Sequence, residues 1–331
     1  MSHKLVDSFQ RPIGYLRVSV TDQCDLRCLY CIPRGFTGFR EPAHWLDFNE
    51  ITRLARLFAQ TGVKHIRLTG GEPLLRKNLP ELVACLNAIQ GIDTISLSTN
   101  ALRLKQLASE LKQAGLTRLN ISLDSLKNER FQAITRGKLC KALAGIEAAR
   151  LAGFDNTKIN MVVMKGINDH EVVPMLQYCL EQNLTLRFIE TMPMGSTGRL
   201  ASRHYLSLRT VRDRIDNHFD LIHELPTPAA RYSGPAKYMR INGTSAKVGF
   251  ITPISEHFCD SCNRVRLGVD GMLYPCLGQN HAVALGQQLR NKATDAELLS
   301  QLQQVIQDKP RRHEFVEKPE QVLRFMSTTG G

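Results

Sequence analysis

The chain of 331 residues has no apolar run near the ~20 residues that a bilayer-spanning helix needs. Its first residues, Met-Ser-His-Lys-Leu-Val-Asp, lack the apolar stretch of a signal peptide. A cytoplasmic protein with no membrane partner is expected. In that reducing setting its nine cysteines are thiols or metal ligands, not a disulfide framework. The sequence holds no internal repeat and no low-complexity segment. Aromatic residues are scarce, at 6%, and no long basic run gathers the net charge of +12. Scattered cations of this kind suit a small polyphosphate held by a few inward arginines as well as they suit a nucleic acid.

What is present is an alternation of strand and helix patterns, which argues for an α/β fold. Strands are expected at 15–20, 64–68, 94–98, 118–123, 158–163 and 185–189, with helices at 49–60, 79–89, 105–114, 138–151 and 171–182 between them. Short connections between six such units point to a parallel array, shorter than an eight-unit barrel. Side chains alternate along a strand, and one face here is polar or basic: Arg17 and Ser19, then His65, Arg67 and Thr69, then Asn120 and Ser122, then Lys158 and Asn160. Such a face is costly to bury unpaired, so a lumen filled by water and an anionic ligand is expected. A two-layer sheet with one wet face is the plain alternative.

A Gly- and Ser-rich stretch at 192–203 marks a break, giving regions 1–205 and 206–331. Beyond it, a helix is expected at 208–219, short strands at 221–225, 236–241, 246–251, 265–269 and 272–274, a helix at 296–306, and an extended tail at 325–331. Cys85, Cys140 and Cys179 stand alone in helical patterns and are expected in the core.

The other six cysteines form two triads. Cys24, Cys28 and Cys31, spaced Cys-x3-Cys-x2-Cys, follow the first strand directly. Three soft thiolates on one loop suit an iron–sulfur cluster or zinc, and three ligands leave a metal position open. Cys259, Cys262 and Cys276 form the second triad, with a hairpin at Asp270-Gly271 that can return Cys276 to the other two. His257 and His281 are candidate fourth ligands if that site is a zinc ribbon. Arg264 and Arg266 alternate with Val265 and Leu267, so both guanidiniums face one way, in the fork geometry that fits phosphate oxygens. Gly70-Gly71-Glu72-Pro73 ends the second strand, where paired glycines let a ligand approach the backbone.

The first triad followed by Gly70-Gly71-Glu72-Pro73 resembles the radical S-adenosylmethionine (SAM) superfamily. Two triads, Cys262-Asn263-Arg264-Val265-Arg266-Leu267, Arg187-Phe188-Ile189-Glu190 with Met192, and a terminal Gly330-Gly331 together resemble the GTP 3′,8-cyclase family over nearly the whole chain. The resemblance implies an incomplete (βα)6 barrel of the TIM type with a C-terminal α+β extension. It implies two [4Fe–4S] clusters, the first on Cys24, Cys28 and Cys31 with SAM on its open iron, the second on Cys259, Cys262 and Cys276 with guanine at its open iron. It implies SAM contacts at Tyr30, Gly71, Ser122 and Met192, and GTP contacts at Arg17, Arg67, Thr99, Lys158, Arg264 and Arg266. The implied reaction is removal of the 3′ hydrogen of GTP by a SAM-derived radical and addition of C3′ to C8, as the first step of molybdenum cofactor synthesis. An electron donor, transfer of the product to cyclic pyranopterin monophosphate synthase, a homodimer and a Gly-Gly tail reaching the active site are implied as well. Thr329 stands where the resemblance predicts an apolar residue, often Ile. The competing readings are a two-cluster radical SAM enzyme acting on peptide or tRNA, and a zinc-stabilised nucleic-acid-binding protein.

Overall fold

The computed structural model describes residues 4–224 and 234–330; Leu225, the last residue of the strand expected at 221–225, and the terminal Gly331 lie outside the described residues. Six strands, β1 (Tyr15–Ser19), β2 (His65–Thr69), β3 (Thr94–Thr99), β4 (Arg118–Ser122), β5 (Lys158–Val162) and β6 (Thr185–Ile189), pair in parallel in sequence order. The helices between them are α1 (Phe48–Gln60), α2 (Leu79–Asn87), α3 (Leu104–Gln113), α4 (Asn128–Thr135), α5 (Leu139–Leu151) and α6 (Val172–Glu181). The start of α1 is fixed by a capping box, in which Asp47 accepts from the Glu50 amide at 2.7 Å and Glu50 accepts from the Asp47 amide at 2.9 Å. Its buried face carries Ile51, Leu54, Ala55, Leu57 and Phe58. Each large side chain there contributes about 1.5–3 kcal/mol of transfer free energy.

The chain continues through α7 (Gly195–Ala201), α8 (Leu208–Asp216), β7 (Leu221–His223), β8 (Lys237–Ile241), β9 (Lys247–Ile251), β10 (Arg264–Leu267), β11 (Met272–Tyr274), β12 (Val283–Ala284), α9 (Leu285–Arg290), α10 (Asp295–Gln307) and α11 (Met326–Thr329). The later strands do not form a separate sheet. β10 pairs in parallel with β1, and β9 pairs in parallel with β6, so the C-terminal region extends both edges of the barrel sheet. The strand order is β12-β11-β10-β1-β2-β3-β4-β5-β6-β9-β8-β7, and among the described residues its two ends do not pair. The barrel is therefore incomplete, as expected. One continuous apolar core holds residues from both regions, from Leu16 and Leu68 to Val265, Leu298 and Ile306.

Several expectations need correction. No element is expected between the strand at 118–123 and the helix at 138–151, but residues 128–135 form α4, which buries Phe131 and Ile134. The Gly- and Ser-rich break contains α7, with Gly195, Thr197, Gly198 and Ala201 buried. Cys179 is buried as expected, but Cys85 and Cys140 are exposed, on the outer faces of α2 and α5. The tail is not extended: α11 is a helical turn with Met326, Ser327 and Thr329 buried. A polar sequence hides these burials because the partners are distant in the chain, not neighbours at helical spacing.

Candidate active site

The first cysteine loop leaves β1 and is pinned at several points. The Arg27 and Leu29 amides donate to the carbonyls of Thr135 and Ile134 at 2.9 and 3.0 Å, at the end of α4. Gly71 N donates to Thr21 O at 2.8 Å and Glu72 N to Gln23 O at 2.7 Å, so the turn after β2 lies directly on the loop. The Tyr30 hydroxyl donates to Asp124 Oδ2 at 2.7 Å, while Asp124 Oδ1 accepts from the Val162 amide at 2.9 Å. Burial pushes Asp124 up to about 6, against these two hydrogen bonds.

Cys24, Cys28 and Cys31 are free thiols. Burial pushes all three up, Cys31 to about 12, and each is raised further by acidic neighbours: Glu72 acts on Cys24, and Asp124 acts on Cys28 and Cys31. The thiols of the triad also act on one another. A cationic centre is what turns three such buried thiols into thiolates. Among the described residues no three His, Cys, Asp or Glu side chains close on a single metal ion. An iron–sulfur cluster is a larger body whose cysteines stand apart around it, so the donor set and its spacing fit that group.

The second loop has a different electrostatic setting. Cys259 and Cys276 are raised by burial, whereas at Cys262 the cations Lys309 and Arg264 outweigh burial and lower the thiol to about 7. Lys309 is 2% exposed and donates to Arg264 O at 3.1 Å and to Pro275 O. Arg11, ion-paired with Asp7 at 2.6 Å, donates to Cys259 O at 2.7 Å. Neither Lys309 nor Arg11 was legible as a site residue, since both act through carbonyls distant in sequence. His257 and His281 are exposed, and the His257 ring packs edge-on against His313 with centroids 6.0 Å apart.

The polar strand face holds the expected cations. Arg266, Arg17 and Arg67 are register partners on β10, β1 and β2 and form one tier across three parallel strands. Arg17 is 8% exposed and Arg266 6%. Burial lowers Arg17 well below its usual value, and Arg266 and Arg67 lower it further. Burial, then Arg264 and Arg324, bring Arg266 down to about 9. Lys158 opens β5 opposite Asn120. Beside it is Arg187, which the sequence reading used only as part of a motif. Its Nε donates to Asn160 Oδ1 at 2.9 Å and a terminal nitrogen donates to Asn120 Oδ1.

Thr99 ends β3, where its hydroxyl donates to Glu72 Oε1 at 2.7 Å and accepts from the Ala101 amide at 3.0 Å. Glu72 also accepts from the Asn100 and Leu74 amides at 2.7 and 3.0 Å. Burial pushes this carboxyl up to about 7 despite those bonds. Ser122 ends β4 and is half-buried, and Met192 follows β6 against a small apolar cluster of Met194, Phe315, Val322 and Met326. Glu190, fully buried, accepts from the Ile254 and Ser255 amides at 2.9 and 3.0 Å and from the Tyr205 hydroxyl at 3.1 Å. It thus holds the turn that follows β9.

The tail links these parts. Phe325 packs against Phe36, with ring centroids 5.2 Å apart, and occupies the space where a Cβ on Gly195 would fall, 2.7 Å from its ring. Arg324 donates to Cys276 O at 3.3 Å and to Leu277 O. Arg266 donates to Thr329 O at 3.3 Å and to Gly330 O. A Cβ on Gly330 would lie 2.1 Å from Thr69 Cγ2, so only glycine fits this approach.

Residues 18–179 match the Radical SAM superfamily, and residues 184–315 match Molybdenum Cofactor Synthesis C. The GTP 3′,8-cyclase of Hydrogenovibrio crunogenus is 44% identical over 333 aligned residues, covering 99% of each chain. The chain belongs to the GTP 3′,8-cyclase family. The family's member from Pseudomonas entomophila is 45% identical, over 99% of this chain and 98% of its own. The member from Paracoccus denitrificans is 43% identical, over 99% and 96%. Among solved structures, Streptococcus suis SuiB bound to S-adenosylmethionine superposes with a TM-score of 0.60 at 15% identity, covering 83% of this chain and 64% of that longer one. That likeness shows the shared fold alone. Membership of the radical SAM superfamily implies SAM and a [4Fe–4S] cluster. Among the described residues no helix is long and apolar enough to cross a membrane.

Proposed function

We propose that this chain converts GTP to 3′,8-cyclo-7,8-dihydro-GTP in molybdenum cofactor biosynthesis, with Cys24, Cys28 and Cys31 holding one [4Fe–4S] cluster and Cys259, Cys262 and Cys276 a second. The observation that carries the reading is the tier of Arg266, Arg17 and Arg67 on one strand face between the two cysteine loops. Three like charges in register, two of them buried and Arg67 half-buried, repel one another, and a polyphosphate is the ligand that turns this cost into binding. When bound, the first cluster with SAM supplies a one-electron route to a radical able to remove the C3′ hydrogen.

The chain's own residues bind, orient and exclude water. Tyr30, Gly71, Ser122 and Met192 contact SAM; Tyr30 is oriented by Asp124, and Gly71 brings its backbone to the first loop. Arg17, Arg67, Lys158, Arg264 and Arg266 hold the triphosphate, and Thr99 braces the rim through Glu72 while keeping a lone pair for the nucleotide. The tail covers Arg266 and bridges both cysteine loops, which keeps competing hydrogen donors and water from the reacting carbon. The same reading includes a one-electron donor, product passed to cyclic pyranopterin monophosphate synthase, a homodimer and a region division near residue 205, whereas the two family matches meet earlier, between residues 179 and 184.

The test is an anaerobic reaction of reconstituted protein with SAM, dithionite and GTP deuterated at C3′, read by mass spectrometry. Deuterium in 5′-deoxyadenosine together with a cyclised nucleotide is expected. Cys24→Ala is expected to stop SAM cleavage, and Cys276→Ala to stop GTP cyclisation with the first cluster still assembled. SAM cleavage without deuterium transfer would discard GTP as substrate, and normal GTP turnover by Cys276→Ala would discard the second cluster's role.

A further inference from the structure

Across the sheet from the arginine tier is a second group of donors that includes a side chain from the C-terminal region. Tyr238 on β8 pairs with Gly249 on β9, and Gly249 pairs with Arg187 on β6. A Cβ on Gly249 would lie 2.9 Å from the Tyr238 ring and 2.9 Å from Arg187 Cγ. The missing side chain is therefore what lets the phenol and the guanidinium meet. Lys158 Nζ lies 5.6 Å from the centroid of the same ring. Lys158 and Arg187 both act electrostatically on the Tyr238 phenol, and neither cation has a carboxylate among its principal electrostatic partners.

A phenol beside two cations keeps its own O–H to donate. Three donor groups thus gather with no carboxylate among their principal partners in the described residues. Burial would raise the phenol, and Arg187 and Lys158 outweigh it and lower the group, so the oxygen stands partly in place of an anionic one. The arginine tier is continuous in sequence with the second cysteine loop, through Cys262, Arg264 and Arg266. It takes the phosphates nearest the nucleoside if guanine sits at that loop. The group of Lys158, Arg187 and Tyr238 stands on the far strands of the same sheet, where Arg67 of the tier still acts on Arg187.

We infer that Tyr238, with Arg187 and Lys158, contacts the terminal phosphate of the substrate and makes the site select a nucleoside triphosphate over a diphosphate. The inference rests on the GTP reading above and deepens it. A site built to hydrogen-bond a group rejects the analogue that lacks it, because its buried polar atoms are left unmatched.

Equilibrium binding of GTP and of GDP to the reconstituted full chain, measured anaerobically by calorimetry, tests it. The wild type is expected to prefer GTP. Tyr238→Phe keeps the ring and removes the donor; it is expected to weaken GTP about tenfold and GDP no more than about twofold. Gly249→Ala, which forces Tyr238 and Arg187 apart, is expected to compress the same ratio while the protein melts cooperatively. If both variants kept the wild-type ratio, or lost both nucleotides equally, Tyr238 would be a packing residue and the inference would be wrong. A wild type that bound neither nucleotide would overturn the GTP reading and this inference together.

Discussion

Gly71→Ala is expected to lower SAM cleavage about 10²-fold, the scale of a displacement of about 1 Å at a reacting centre. The added Cβ would lie 2.2 Å from Gln23 O and 2.6 Å from Asp22 O, both backbone atoms that cannot turn aside. Gly70 is no easier to replace, with φ at +142° and a Cβ position 2.0 Å from Thr21 O. The turn after β2 would have to lift from the first cysteine loop and give up the bonds to Thr21 O and Gln23 O. Iron content and the SAM cleavage rate report the two halves of this effect. Full iron loading with a wild-type rate would show that the close approach is not needed.

The second large effect has two signs. Arg17→Met removes the middle charge of the arginine tier and leaves a side chain of similar reach. Relief of repulsion and of a buried charge is expected to raise the melting temperature by about 1–2 °C, for a gain of about 1 kcal/mol in a chain of this length. GTP affinity is expected to fall about 10²-fold, the range for losing a charge-assisted contact to phosphate. Wild-type protein, in turn, is expected to gain stability as GTP is added, because the ligand binds only the folded state. Calorimetric melting with and without GTP measures both signs. A variant that melted below wild type and bound GTP unchanged would mean the tier is a structural network and not an anion site.

Much of this was legible because strands advertise their faces. Arg17 beside Leu16 and Val18, or Arg67 beside Ile66 and Leu68, is an alternation that places each side chain once the strand is recognised. The cysteine triads were legible through spacing on single loops. What could not be read was set by partners far away in the chain. Thr135 and Ile134 receive the first cysteine loop, so a polar stretch folds as α4. Phe325 seats against Gly195, so a small-residue segment folds as α7. Lys309 joins the site through contacts that no local pattern encodes, whereas Arg187, between Leu186 and Phe188, follows the same strand alternation as Arg17 and Arg67. Cys85 and Cys140 show the converse: a helical pattern fixes the helix but not which of its less apolar positions faces outward. Thr329 is fully buried although polar, because its carbonyl, not its side chain, is what Arg266 uses.

The placement of β9 and β10 on opposite edges of the barrel sheet sets an order of events during synthesis. While the first six strands emerge from the ribosome, both flanks of their sheet carry unpaired backbone groups, and neither can be covered until about 60 more residues have left the exit tunnel. A chain stopped before β9 therefore keeps both edges of its sheet open and is expected to associate through them.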